Sequence, residues 1–284
     1  MIHGRLSEAA ATIGGVLTGA DAEFTGVSTD SRSLEAGQLF VALEGPNFDG
    51  HAFVAAAAAG GAAGAVVSRE VDGDLPLVRT DDTLVALGAL AAGWRANLGP
   101  TVVGITGSSG KTTVKELTAA ILAGVDDTLV TRGNLNNEIG VPLTLFRLAP
   151  ADRFAVIEMG ANHAGEIARL AAIARPDIGV ITMAGPSHLE GFGDLDGVAT
   201  AKGEMFAALG PNGTAVVNAD DQYADYWRTL CPPARIVTFG LGEGADVTAR
   251  RVEPLAGPAP GSRFELRLQA GAVNVELPLP GQHN

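Results

Sequence analysis

Short β-branched and apolar runs recur along the latter part of the chain: TVVGIT, TLVT, FAVIEMG, IGVITMA, TAVVNADD and RIVTFG, bounded by Gly, Asn and Asp. Helical stretches lie between several of them, at Lys111 to Leu122, Gly165 to Arg175 and Gly197 to Leu209. Buried strands alternating with helices predict a mainly parallel sheet covered on both faces. From Asp246 the helical pattern stops. DVTARRVEPL, SRFELRLQA and AVNVELPLP alternate apolar with polar positions, which predicts an antiparallel edge.

Upstream, FTGVSTDSR and LFVAL read as short strands, and HAFVAAAAAGGAAGAVV as a helix running through Gly into a strand. An amphipathic run from Asp81 to Asn97 ends at Gly99-Pro100, the expected domain boundary. The fold class that follows is α/β, with a small N-terminal α/β domain over residues 1–98. A central domain over residues 99–284 follows, with a mainly parallel sheet and an antiparallel edge.

Composition narrows the functions. The chain has 284 residues, 46% of them hydrophobic, enough for two sizeable cores. A formal charge of −13 argues against a broad nucleic-acid-binding surface but leaves room for a locally positive pocket. The lone Cys231 fits a reducing compartment and, beside Pro232 and Pro233, reads as a packing residue. The N-terminus lacks a signal-peptide core, and the apolar stretch from Phe53 to Val67 is Ala/Gly-rich and too short to span a bilayer. The expectation is a cytoplasmic protein with small-molecule ligands and no membrane insertion.

The strongest chemical signal is Gly104-Ile105-Thr106-Gly107-Ser108-Ser109-Gly110-Lys111-Thr112-Thr113, set between a strand and a helix. Glycines let successive N–H groups turn toward phosphate oxygens, and the helix N-terminus adds its dipole. Gly107, Ser108, Ser109, Gly110 and Thr113 would line the phosphates. Lys111 would reach the β- and γ-phosphates of ATP, and the Thr112 hydroxyl would hold Mg²⁺. Ile105 stands where the general pattern has its first Gly, so the loop is a variant.

Glu158, at the end of FAVIEMG, lies where open α/β sheets bind ligands and suits a hard divalent cation; otherwise it is a loop-facing charge. His188, in GPSHLEGFG, follows the next strand and is a metal ligand or a structural histidine. By spacing alone Lys202, in ATAKGEMF, is a surface residue, although a buried lysine can capture CO₂ as an anionic carbamate. GNLNNEIGVPLTL is dense in amides fit for polar ligands, or is an Asn-rich turn. STDSR and NFDGH could grip a nucleoside diphosphate or serve as caps and turns.

Taken in order, STDSR, LFVALEGPNFDGH, TGSSGKTT, EMGANHAGEI, GPSHLEGFG, AKGE and GQHN resemble the Mur ligase family over essentially the whole chain. The GNLNNEIGVPLTL stretch is similar to members that join D-alanyl-D-alanine to UDP-N-acetylmuramoyl-tripeptide, the two partners that the resemblance implies. It implies ATP and Mg²⁺ as cofactors, with Thr112, Glu158 and His188 on metal and a carbamoylated Lys202 beside them. Lys111, Glu158, His188 and Lys202 would form the catalytic set. Asn134, Asn136, Asn137 and Glu138 would lie near the substrate, and Ser28, Ser31 and Arg32 at its uridine diphosphate end. His283 and Asn284 would open a motif that meets adenine.

The implied reaction passes through an acyl phosphate on a monomeric enzyme. Relatives of this kind continue past GQHN into a third domain, so the chain by itself is expected to ligate weakly or not at all. Alternatives are a sibling ligase adding another amino acid, a module that only binds substrate and nucleotide, and a regulatory P-loop ATPase.

Overall fold

The computed structural model describes residues 1–231, 235–255 and 260–279, arranged in two units. The first comprises Met1–Pro100, Leu122–Ile157 and Ala172–Ala174. Its main sheet has five strands in the order Val16–Thr18, Leu77–Arg79, Gly64–Val67, Leu39–Val41, Val27–Ser28. The first pair is antiparallel and the remaining pairs are parallel. Leu39–Val41 and Gly64–Val67 are buried at every position, as parallel strands covered on both faces require.

Phe40, Ala42, Ala65 and Val67 pack with Val54 and Ala57 of the helix Val54–Ala59 to form a core. Helix Thr83–Ala96 begins where the Asp82 carboxylate accepts the N–H groups of Leu84 and Val85. Residues 1–23, unassigned in the sequence reading, carry strand His3–Arg5, helix Leu6–Ile13 and strand Val16–Thr18, all too short for a clear period. The first unit also holds the parallel pair between Thr128–Val130 and Phe154–Glu158.

The second unit comprises Thr101–Ile121, Glu158–Ala171 and Arg175–Asn284. Strands Thr101–Thr106, Ile178–Ile181, Thr214–Asn218 and Arg235–Phe239 hydrogen-bond in that order, all parallel. Gly104 and Gly179 allow close packing: a Cβ on either would stand 3.1 or 3.0 Å from the Met205 side chain of helix Leu195–Ala207. Thr248–Leu255, Gly261–Leu268 and Gly271–Leu277 form the expected antiparallel sheet, with a bulge between Arg250 and Glu253.

The fold is therefore mixed α/β with a parallel ladder and an antiparallel sheet. Among the described residues no helix is long and apolar enough to cross a membrane.

Candidate functional site

Strand Thr101–Thr106 runs into residues 107–110, and helix Lys111–Ala123 starts at once. Gly107 has φ 143°, and a Cβ there would lie 1.9 Å from Thr182 Oγ1, so the turn excludes any side chain. Gly110, at φ 79°, makes the second left-handed step into the helix. The N–H groups of Lys111, Thr112 and Thr113 open that helix, where no earlier carbonyl of the helix can take them. This is the geometry of an anion cradle. Lys111 Nζ donates to Gly107 O at 2.8 Å, folded over the loop it would leave to meet a phosphate. Burial lowers the Lys111 pKa, with the Glu158 charge opposing the shift.

Glu158 is 2% exposed at the end of its strand. Its Oε2 accepts from Thr112 Oγ1 at 3.0 Å and pairs with Lys115 Nζ at 3.5 Å. Thr112 and Glu158 thus bring hydroxyl and carboxylate oxygens together beside the phosphate loop, a donor set that suits Mg²⁺. Lys115, absent from the sequence reading, is fully buried and also pairs with Glu116 at 3.1 Å. The signal available for it was its spacing: Lys111 and Lys115 stand one helical turn apart on one face.

Lys202 is not the surface residue that spacing suggests. It is 2% exposed on helix Leu195–Ala207, with Nζ 5.2 Å from the Phe192 ring centroid. Desolvation, then the positive charge of Lys111, lower its pKa to about 8, against opposing contributions from Glu166 and Glu204. Glu204 on the same helix accepts the N–H groups of Gly165 and Ala168 at 2.6 and 2.9 Å, which fixes the start of helix Glu166–Ala174.

His188 is exposed, and its ring makes no hydrogen bond or ion pair among the described residues. Its backbone sits at φ 50°, ψ 37°, a conformation that disfavours a side chain and gathers at functional sites. The segment before it is held firmly. Asn218 Nδ2 donates to Thr182 O at 2.9 Å, and Asp221 Oδ2 accepts Ala184 N–H at 2.8 Å. Ser108 and Thr182 attach the same segment to the phosphate loop.

The other candidates lie in the first unit. Ser28 is buried and exchanges hydrogen bonds with the Asp30 backbone. Arg32 is exposed and grips Asp30 with Nε and Nη2 at 2.9 and 2.7 Å, which holds the Asp30 pKa at about 2. Ser31 lies between them, half-buried. Asn134 is exposed, Asn136 and Glu138 are half-buried, and Asn137 Oδ1 accepts the N–H groups of Ile139 and Gly140 at the start of helix Gly140–Leu145.

Glu44, Asp49 and His51 also converge, but Arg69 already pairs with both carboxylates. His51 bridges Asp49 and Ser68, so an internal ion network accounts for the cluster. His283 and Asn284 lie outside the described residues.

With this geometry in place, comparison with known proteins is specific. Residues 105–284 match the Mur ligase middle domain, and residues 23–126 match the Mur ligase family catalytic domain. The chain is 47% identical over 285 residues to UDP-N-acetylmuramoyl-tripeptide–D-alanyl-D-alanine ligase of Escherichia coli (strain K12), covering 100% of this chain and 62% of the relative. The same-named Haemophilus influenzae protein is 42% identical over 91% of this chain and 56% of its own length.

Among solved structures, MurF from Acinetobacter baumannii superposes with TM-score 0.95 at 38% identity, over all of this chain and 62% of that one. MurF ligase from Thermotoga maritima in complex with ADP gives 0.78 at 29% identity, over 88% of this chain and 57% of that one. The chain spans about three-fifths of the length of the relatives it matches.

Proposed function

The chain belongs to the Mur ligase family, and from that premise we propose that it serves the ATP-dependent joining of D-alanyl-D-alanine to UDP-N-acetylmuramoyl-tripeptide. The observation that carries this reading is the 47% identity to the E. coli relative of that name, maintained over the whole chain. The phosphate-loop geometry supports it: Lys111, Thr112 and Glu158 converge where a nucleotide's phosphates would lie. We assign residues 1–98 to the uridine diphosphate end of the substrate and residues 99–284 to the nucleotide. The proposed setting is a cytoplasmic monomer, where ATP and the UDP-linked precursor are both at hand.

In this reading the terminal carboxylate of the tripeptide attacks the γ-phosphorus of ATP, and the bond to ADP breaks. The amine of D-alanyl-D-alanine then attacks the resulting acyl phosphate, loses its proton, and expels inorganic phosphate as the amide forms. Both steps gather negative charge in one place, so their barrier falls with every preorganised donor aimed at it. Residues 109–113 and Lys111 Nζ supply such donors to the phosphates. Asn134, Asn136, Asn137 and Glu138 hold the peptide end. Ser28, Ser31 and Arg32 hold the diphosphate, Arg32 exchanging Asp30 for it.

Thr112, Glu158, His188 and a carbamate on Lys202 would hold Mg²⁺, which neutralises phosphate charge when bound. Capture of CO₂ by the unprotonated Lys202 amine forms one N–C bond and releases one proton. The lowered Lys202 pKa supports that step, since more of the amine is free near neutral pH. The carbamate also turns repulsion from Lys111 into attraction.

The test is phosphate release from ATP with Mg²⁺ and UDP-N-acetylmuramoyl-tripeptide, with and without D-alanyl-D-alanine, alongside calorimetric titration of the UDP-peptide. Any release should require both substrates, and the UDP-peptide should bind in the titration even where release is weak. Release without the amine would make this an ATPase, and tighter binding of a UDP-muramoyl peptide of another length would make it a sibling ligase.

A further inference from the structure

The phosphate loop holds a residue, Ser108, whose N–H and hydroxyl are both committed elsewhere. Ser108 N–H donates to Met183 O at 2.9 Å, and its Oγ donates to Gly185 O at 2.9 Å. The same Oγ accepts Gly185 N–H at 3.0 Å and the Ser187 hydroxyl at 3.0 Å. A hydroxyl has one proton and two lone pairs, so this one is saturated, and nothing remains to offer a phosphate. The neighbouring attachment is equally tight. Thr182 Oγ1 donates to Ser109 O at 2.6 Å, entering the space that Gly107 leaves by having no Cβ. Residues 182–187 are also tied to Asn218 and Asp221, and they end at His188 with its left-handed backbone.

We propose that Ser108 is a positioning residue that welds the phosphate loop to the 182–187 segment, so that the nucleotide cradle and His188 move as one frame. Sequence pattern places Ser108 among the phosphate ligands; the geometry gives that work to residues 109–113 and gives Ser108 the task of setting His188. Gly185 is buried, so Ser108→Ala would leave its N–H and C=O without their partner. Strain at His188 adds a reason for the weld, because a residue in a disfavoured conformation persists only where its surroundings over-determine it. The inference rests on the proposed reading of His188 as part of the Mg²⁺–nucleotide site.

The test is a double-mutant cycle read by binding, not turnover: the dissociation constant of fluorescent mant-ADP with Mg²⁺ for wild type, Ser108→Ala, His188→Ala and the double variant. Ser108→Ala is expected to weaken binding about tenfold in the wild-type background, the loss of roughly one net hydrogen bond. In the His188→Ala background the same change should weaken it less than about twofold, since coupled residues do not add. Ser187→Ala, which removes one of the three bonds to the hydroxyl, should weaken binding about threefold and carries the cycle if Ser108→Ala fails to fold.

An equal factor in both backgrounds would overturn the inference by making Ser108 a phosphate ligand in its own right. No effect of Ser108→Ala or Ser187→Ala in a folded protein would overturn it too. Failure of the underlying reading looks different: wild type that does not bind mant-ADP, or His188→Ala that binds as wild type does, removes the site and the inference with it.

Discussion

Replacing Lys115 with methionine isolates the least expected feature of the site, an ammonium and a carboxylate buried together. The Lys115 side chain is 0% and the Glu158 side chain 3% exposed, with Nζ and Oε2 3.5 Å apart. At an effective dielectric of about 20, that separation corresponds to about 5 kcal/mol of attraction, set against the desolvation of both groups. Removing one partner strands the other, which typically costs about 3–5 kcal/mol. Thr112 still donates to the carboxylate and the Lys111 charge still reaches it, so the lower end, about 3 kcal/mol, is expected. Methionine keeps most of the lysine's volume, which limits any cavity contribution.

Lys115→Met combined with Glu158→Leu should return to within about 1 kcal/mol of wild type, because an apolar pair of similar size replaces both charges. Urea unfolding without nucleotide or metal, followed by circular dichroism, measures all four corners of the cycle. A single variant that loses less than about 1 kcal/mol, or a double variant as unstable as the sum of the singles, would refute the argument.

Gly107→Ala meets both a φ of 143° and the Thr182 hydroxyl, so a destabilisation of about 3 kcal/mol or more, with mant-ADP binding abolished, is expected by urea titration and fluorescence. Binding within twofold of wild type would show that the loop relaxes freely. Lys202 stands at about 8 in the folded chain against an ordinary 10.5, so the unfolded chain holds the extra proton between those values. Stability should therefore rise with pH from about 8 to 10.5, while below pH 8 both states are protonated and the destabilisation is constant. Lys202→Met should flatten that rise in a melting series, and an unchanged slope would remove burial of Lys202 as its cause. Glu204→Ala deletes the acceptor for Gly165 and Ala168 N–H and should cost about 1–2 kcal/mol in urea unfolding, whereas Glu204→Gln should recover part of it.

The parts legible in the sequence were those written in local periodicity. The apolar run before Gly107 and the helical spacing after Lys111 define strand, loop and helix, and the observed Lys111–Ala123 differs from the expected end by one residue. The alternation after Asp246 likewise marks antiparallel strands, because period two survives even where only one face is covered. What stayed hidden depends on contacts between segments far apart in the chain. Ser108 and Gly185 are 77 positions apart, and nothing in TGSSGKTT distinguishes a serine bonded across the sheet from one facing a phosphate. Lys202 reads as exposed because lysines usually are, and its burial follows from its place on a helix where Val198, Ala201, Met205 and Phe206 are buried with it.

Two lysines, Lys111 and Lys115, share the buried Glu158 carboxylate and a third, Lys202, feels the Lys111 charge, on a chain whose formal charge is −13, and the electrostatics of that arrangement explain the site better than any single contact does. Lys115 lies 3.5 Å from Glu158, Lys111 interacts with the Glu158 charge, and Lys202 is pushed toward neutrality partly by Lys111. Like charges raise each other's energy, and the carboxylates here are shared: Glu158 and Glu116 with Lys115, Glu158 with Lys111, Glu166 and Glu204 with Lys202. A structure selected only for stability would spread these residues or replace them with apolar ones. The repulsion between Lys111 and Lys202 gains a reason once an anion of high charge density occupies the loop, because its phosphates meet Lys111. The field is then local: the acidic remainder of the surface repels a polyphosphate at long range, screened within about 8 Å at physiological salt, while the loop attracts it at contact. On the proposed reading, affinity for nucleotide is set by short-range geometry, which is why the rigidity of residues 107–113 and of the segment bonded to them matters more than net charge.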